Sequence, residues 1–379
     1  MNADRARQLF ESGGILLVLD TPKEMEFGID MYSWQVGANF QGIKMIPPGI
    51  HHCYYSERDT LTKELCNRQS FFIELKQPNE MLILMRWSTT ENLFQRQQLT
   101  PDEYETRRNQ RYELDRFLGQ YPLDTYRQWL ALSNHLRYDF IEKLIPINGY
   151  ICSAEVFDIP THTKRTEEFS EPKSLSEAES RLPKMTLNAE FAFRFTVIEK
   201  KMNLCSGSDL TQSKLDRTNE LEKIIFERFD TNIYGILCEL QLSFIVFFLG
   251  HYYDGLEQWK CLLQLICSCK KAFCRWPMFY VDVLQTMYFQ LKEFSNDSLA
   301  DENLFVDIDQ QANAIYKSLE NLFANVSAFN DNQQMEGNDS EKLIERCAKM
   351  KQFLHETYNW AFDDEPEDEK PVIVELNNE

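Results

Sequence analysis

The chain has 379 residues, with 60 acidic and 40 basic side chains and a formal net charge of −20. That balance argues against direct grip on a phosphate backbone, which needs clustered Lys and Arg. It leaves open work inside a ribonucleoprotein through protein contacts. A hydrophobic fraction of 43% suits a core-forming protein of two or three domains.

The opening stretch MNADRARQLFESGG shows no secretory h-region. The most apolar run, 242–249, is too short to span a bilayer. The expectation is a soluble intracellular protein whose ten cysteines are reduced, buried thiols.

Residues 13–90 read as β. Six of the thirteen glycines, Gly13, Gly14, Gly28, Gly37, Gly42 and Gly49, fall in the first fifty residues and supply turn geometry. Between them lie short apolar runs at 15–19, 43–46 and 51–55. The stretch FFIELKQPNEMLILMRW (71–87) reads as a hairpin turning at 77–80. The whole predicts a small sandwich or barrel.

From residue 100 the period changes. Thr100 is placed to cap a helix, with Pro101 at its first position and acids in its first turn. Further helices follow to about 145. Residues 158–188 are polar and proline-bearing, a linker. In 189–199, Phe191, Phe193, Phe195 and Val197 alternate with Ala192, Arg194 and Thr196. This period-two pattern predicts a strand that closes a sheet or braces two domains. From about 209 onward the chain reads as helices, near 209–229, 233–249, 252–273, 277–294, 301–328 and 340–360. A bundle is expected, with the helix at 233–249 apolar on most sides and therefore central. Its acids and amides are expected where it reaches the surface or a partner.

The motifs that suggest chemistry each have a plainer reading. His51, His52 and Cys53 are adjacent, and adjacent strand residues point to opposite faces, so one ion cannot collect them. Cys261, Cys267, Cys269 and Cys274 scatter around a helix, with no Cys-x-x-Cys pair. The glycines of ESGGILLVLD precede a strand, where phosphate capture needs them between strand and helix. No nucleophile elbow or zinc-protease motif occurs. No enzyme, metal or cofactor is therefore expected.

The stretch EFGIDMYSWQVGANFQGIKMIPPGIHHCYYS (26–56) resembles the signature of the AAR-two splicing factor family. Phe27, Gly28, Ile29, Asp30, Ser33, Trp34, Gly37, Phe40 and the run from Gly42 to Gly49 carry the resemblance. DRFLGQYP, SRLPKM, CELQLSFIVFFLG, EQWKCLL, LFVDI, WAFDDEPED and PVIVEL extend it over nearly the whole chain. His52 and Cys53 depart from it, standing where the family prefers bulkier apolar residues.

The resemblance implies a multidomain α+β protein. A β-rich, sandwich-like N-terminal domain precedes an all-helical, VHS-like C-terminal domain and a flexible, strand-forming tail. The corresponding boundaries are 1–157, then a linker at 158–200 with a strand at 189–198, then 201–362, then 363–379. The implied role is non-enzymatic: an assembly factor of the U5 small nuclear ribonucleoprotein in pre-mRNA splicing. It implies binding to the large U5 scaffold protein, Prp-eight, at its RNase H-like and Jab/MPN domains, before the helicase Brr-two takes its place. A monomer when free, present in cytoplasm and nucleus and without membrane or direct nucleic-acid contact, completes the expectation. The alternative is a VHS-type helical adaptor that binds short peptide motifs.

The chain's last segment is where this role becomes physical. Six acids and two prolines in 363–371 lead into Val372, Ile373, Val374, Glu375 and Leu376. Pro371 is tolerated at a strand's first position. Val372, Val374 and Leu376 share one face, and Ile373 and Glu375 the other. A lone strand is stable only when paired; a sheet edge of the chain's own N-terminal domain is one candidate, and the resemblance implies instead that the partner's sheet supplies the pairing. The partner-binding residues are thus Pro371, Val372, Ile373, Val374, Glu375 and Leu376. Ordering each costs about 1–2 kcal/mol, and burying each apolar side chain returns about 1.5–3 kcal/mol. The sums nearly cancel, so the body must make a second contact.

Overall fold

The computed structural model describes residues 9–59, 62, 64–76, 80–154, 157–158, 186–198, 216–296, 306–307, 312–331 and 338–362. The chain divides into two compact units. The first takes residues 1–127, 141–194 and 248–252; the second takes 128–140, 195–247 and 253–379.

The first unit is a β-sandwich. Its strands are β1 (Gly14–Leu19), β2 (Glu26–Ile29), β3 (Tyr32–Gln35), β4 (Gly42–Ile46), β5 (Gly49–Ser56), β6 (Gln69–Leu75), β7 (Leu82–Ser88), β8 (Leu93–Gln97), β9 (Leu118–Gln120) and β10 (Ile151–Cys152). One five-stranded sheet runs β8-β7-β1-β4-β9 and the other β10-β6-β5-β2-β3. β1 pairs parallel with β7 and antiparallel with β4. Leu16 and Val18 of β1, Phe27 and Ile29 of β2, and Tyr55 of β5 meet in the shared core. Ile15 and Leu17 point the other way, into a smaller cluster with Leu82, Leu84 and Leu118. This explains why β1 reads GILLVL without alternation: both of its faces are buried. Gly42 sits at φ +139°, and a Cβ there would strike the Leu16 carbonyl oxygen, so β4 can approach β1 only through glycine.

The expected hairpin at 71–87 is different in the structure. β6 and β7 belong to different sheets. A single antiparallel bridge, Lys76 to Glu80, joins their ends before they diverge. Phe71, Ile73 and Leu75 face the core from one sheet, and Ile83, Met85 and Trp87 face it from the other. Alternation alone says that two strands share a core; it does not say that they share a ladder.

Helix α1 (Pro101–Asn109) begins as expected. Thr100 Oγ1 accepts from Glu103 N–H while the Glu103 carboxylate accepts from Thr100 N–H, a complete capping box. Tyr104 packs on the smaller cluster, and its hydroxyl accepts from Met81 N–H at 3.0 Å. After a short helical turn at 111–117 come α2 (Tyr126–Ser133) and α3 (Tyr138–Leu144).

The expected strand at 189–198 is absent: residues 188–198 join no ladder. Side chains hold this segment. Phe193 stacks on Tyr252 at 4.6 Å. Arg194 donates to the Ile145 carbonyl at 3.0 Å. Val197 is 86% exposed. The alternation is real, but its apolar positions do not share one buried face.

The second unit is helical: α4 (Thr218–Arg228), α5 (Tyr234–Phe248), α6 (Tyr253–Cys267), α7 (Pro277–Asn296), α8 (Ala314–Asp331) and α9 (Asn338–Tyr358). α5 is buried at every position from 235 to 247 and is the centre of the bundle. α6 turns Leu256, Trp259, Leu262, Leu263 and Ile266 inward. Pro277 opens α7 where no intrahelical N–H is missed. Among the described residues no helix is long and apolar enough to cross a membrane.

Candidate partner interface

The predicted strand residues Pro371, Val372, Ile373, Val374, Glu375 and Leu376 lie outside the described residues, as does the acidic linker before them. What the structure gives is the root from which they leave. α9 ends at Tyr358, and Asn359 takes a left-handed φ of +56°, a conformation that asparagine tolerates. Trp360 and Phe362 follow on a segment without regular secondary structure. Trp360 meets the Tyr316 ring edge-on at 5.8 Å and packs on Tyr358 at 5.1 Å. Phe362 lies flat on Tyr316 at 4.8 Å and edge-on to Phe323 at 5.0 Å. Tyr316 Oη donates to the Ala361 carbonyl at 2.5 Å, and Tyr358 Oη donates to the Leu291 carbonyl. Aromatic pairs add about 0.5–1.5 kcal/mol each beyond area burial. Several of them fix the chain's exit through residue 362.

The polar residues of α5 have a different use from the one expected. Glu239 and Gln241 reach neither surface nor partner; both are fully buried. Glu239 accepts from Thr196 N–H at 2.7 Å, from Thr196 Oγ1 at 2.6 Å and from Gln258 Nε2 at 2.8 Å. Gln258 Nε2 also donates to the Thr196 carbonyl at 3.0 Å. Gln241 accepts from His135 N–H and donates to Asn134 Oδ1. Two residues on one helix thus hold two separate stretches of chain. Burial pushes the Glu239 carboxyl up from its ordinary range, opposed by the hydrogen bonds from Thr196 and Gln258. Trp259, on α6, is likewise internal and donates to Gln290 Oε1 at 2.9 Å.

One constellation looks catalytic. Asp30 Oδ2 lies 2.6 Å from His51 Nδ1 and accepts from Tyr121 Oη at 2.6 Å. Asp30 Oδ1 accepts from His52 N–H at 3.0 Å, and His51 Nε2 lies 2.8 Å from the Pro47 carbonyl. A general acid or base must reach a substrate, yet Asp30, His51 and Tyr121 are at most 1% exposed. They form a buried knot that ties the β2–β3 turn to β5 and to the segment after β9. Sequence reasoning missed it because its members are far apart in the chain. Its one local signal is Asp30, at φ +52° in a tight turn.

His51 and His52 point to opposite faces, as strand geometry requires. His52 stacks on Phe72 at 4.7 Å, and both of its ring nitrogens are buried without a hydrogen bond. Burial and the Arg68 charge push it down to about 3. Among the described residues no three His, Cys, Asp or Glu side chains are placed to hold one metal ion. Cys53, Cys238, Cys267, Cys269 and Cys347 are buried, whereas Cys66 and Cys274 are exposed, so the expectation of buried thiols holds for only part of the set. Burial pushes Cys238 and Cys347 up to about 12, which disfavours the reactive thiolate.

Comparison with known proteins turns on the same two units. The family model for the AAR2 N-terminal domain matches residues 12–146, and that for the AAR2 C-terminal repeat region matches residues 195–363. The chain belongs to the AAR2 family. The Protein AAR2 homolog of Homo sapiens is 34% identical over 388 residues, spanning 99% of this chain and 97% of its own. The Caenorhabditis elegans homolog is 28% identical, over 93% and 96% of the two chains. The A1 cistron-splicing factor AAR2 of Saccharomyces cerevisiae is 24% identical, over 93% and 95%. AAR2 is a splicing-factor family, and membership implies protein partners in splicing.

The structure shows what the AAR2 signature encodes. Phe27 and Ile29 fill the core. Gly28 leaves room for the Tyr54 ring. Ser33 donates to Glu26 at 2.8 Å, and Lys44 pairs with Asp115 at 2.5 Å. These are the joints of the sandwich. The aromatic root at Trp360 and Phe362 sits at the far end of the AAR2 C-terminal match, which stops at residue 363.

Proposed function

We propose that this AAR2 protein is a non-enzymatic assembly factor of the U5 particle. In this reading it binds the Prp-eight scaffold at its RNase H-like and Jab/MPN domains. Pro371, Val372, Ile373, Val374, Glu375 and Leu376 add a strand to the partner's sheet, and the occupied surface keeps Brr-two out until assembly is complete. The free protein is a monomer and works in cytoplasm and nucleus.

The supporting observation is the aromatic root. It fixes the origin of an apolar, strand-patterned tail at one point of a folded body. Tethering of this kind raises the tail's effective concentration to about the mM range, so a weak strand contact adds to a body contact. The acidic linker at 363–370 steers the tail towards a basic partner surface. The adaptor alternative draws less support, because the polar residues between α5 and α6 already hold the chain's own Thr196.

The test is affinity capture from nuclear and cytoplasmic extract with the full chain and with a chain ending at residue 370. U5 proteins are expected on the full chain and at least tenfold less on the shortened one. Equal recovery on both, or sorting cargo in place of U5 proteins, would overturn the proposal.

A further inference from the structure

The second unit carries an aromatic groove of about 480 Å³ between α4 and the residues just ahead of α7. Glu222, Lys223, Ile225, Phe226, Arg275 and Trp276 are among the residues that line it. Phe226 is 72% exposed, on a helix whose Leu221, Ile224 and Ile225 are buried. The Arg275 guanidinium lies over the Trp276 ring at 4.6 Å. We infer that the chain's own tail parks here, with Val372, Val374 and Leu376 in the groove, before a partner takes it. The inference rests on the reading of that tail as the partner-binding element.

Two observations choose this occupant. The first is reach. α7 and α9 pack in parallel: Arg346 bonds to Gln285, Phe353 meets Tyr288, and Tyr358 meets Leu291. The tail's root is therefore at the Leu291 level of α7, and Trp276 immediately precedes that helix. The helical rise between residues 277 and 291 is about 21 Å. The linker 363–370 extends about 26–29 Å, enough to bring residue 371 to the groove with little slack.

The second is charge. In a chain of net charge −20, Lys223 and Arg275 line the groove, and Lys270 and Lys271 lie a few residues ahead of Arg275. Two of their ion pairs are exposed on both sides, Lys223 with Glu227 at 4.0 Å and Arg275 with Glu222, while Lys271, itself exposed, reaches the mostly buried Asp216 at 3.8 Å. Exposed pairs of this kind are weak and exchange readily for the six acids of the linker. The body thus offers the acidic linker three exposed cations, Lys223, Lys271 and Arg275, at or near the groove. Parking in cis withholds the strand from wrong sheet edges, a hazard of any unpaired apolar strand.

The test uses the full chain with Phe226 replaced by photoreactive benzoylphenylalanine. Illumination is expected to join position 226 to residues 371–376 within one chain, at a yield independent of protein concentration. Val374→Asp should reduce that yield at least tenfold. Cross-links between two chains, cross-links that map elsewhere, or a yield unchanged by Val374→Asp would overturn the inference. Scaffold binding is measured separately on Phe226→Ser, which should bind the scaffold several-fold more tightly because the tail is freed. Intramolecular cross-links without scaffold binding would keep the parked tail and remove the proposed function. Scaffold binding without cross-links would do the reverse.

Discussion

Tyr121 and Asp30 stand 91 residues apart in sequence and 2.6 Å apart in space, with the phenol donating to the carboxylate. The bond closes a buried knot that also includes His51. Tyr121→Phe keeps the ring and removes the donor. It should cost about 1–3 kcal/mol of stability, read as a lower urea midpoint at unchanged slope. A loss below the error of the extrapolation would show the knot to be slack.

His52 gives an acid-dependent prediction. Its folded value is about 3, against an ordinary 6.5. Below pH 6.5 the unfolded chain takes up a proton that the folded chain refuses. This contribution to stability is therefore present above pH 6.5 and is lost as pH falls towards 3. His52→Leu removes the titration and the two unpartnered nitrogens. The variant's advantage over the parent should widen as pH falls below 6.5, with a slope approaching about 1.4 kcal/mol per pH unit near pH 5. Parallel stability curves for the two proteins would refute the assignment.

Glu239 titrates in the opposite sense. Burial raises its folded value, so the folded chain holds a proton that the unfolded chain has lost. The favourable contribution is full below the ordinary carboxylate range and disappears as pH rises through the raised value. Glu239→Gln should flatten that decline, while Glu239→Ala should destabilise at every pH by leaving Thr196 and Gln258 unpaired. Denaturation of the three proteins from pH 4 to pH 8 separates the two effects.

At the tail's root, Trp360→Ala with Phe362→Ala should leave the bundle folded, since both side chains are only partly buried. Loosening the exit lowers the tail's effective concentration. Partner affinity should fall about three- to tenfold, measured by calorimetry, while the isolated tail peptide binds as before. An unchanged affinity would mean that the root is only packing.

Val374→Pro removes a ladder donor from the middle of the proposed strand. The Tm should move by no more than about 1 °C, and partner affinity should fall at least tenfold. A large drop in Tm would mean that the strand pairs within its own chain.

The order of a β unit followed by a helical unit was legible because the periods differ, and Thr100 announced its helix through purely local chemistry. Partnership between strands was not legible. β6 and β7 have the alternation of a hairpin, but whether strands share a sheet is decided by distant residues. Residues 189–199 misled for a related reason: their alternation is served by separate contacts at Phe193, Arg194 and Thr196. The polar residues of α5 resembled surface markers because sequence cannot show that Thr196 and His135 come to meet them. Residues 372–376 were legible as a pattern alone, and they lie outside the described residues.

β1 has a consequence for synthesis on the ribosome. Its parallel neighbour β7 begins about 67 residues later, where Leu82 meets Ile15. At about 5–20 residues per second, that is a wait of roughly 3–13 s. During that interval β2, β4 and β5 can reach the Leu16 and Val18 face, but the Ile15 and Leu17 face stays bare until Leu82, Leu84 and Leu118 emerge. A nascent-chain chaperone would find a target there, because one face of the earliest strand translated is among the last to be shielded from water.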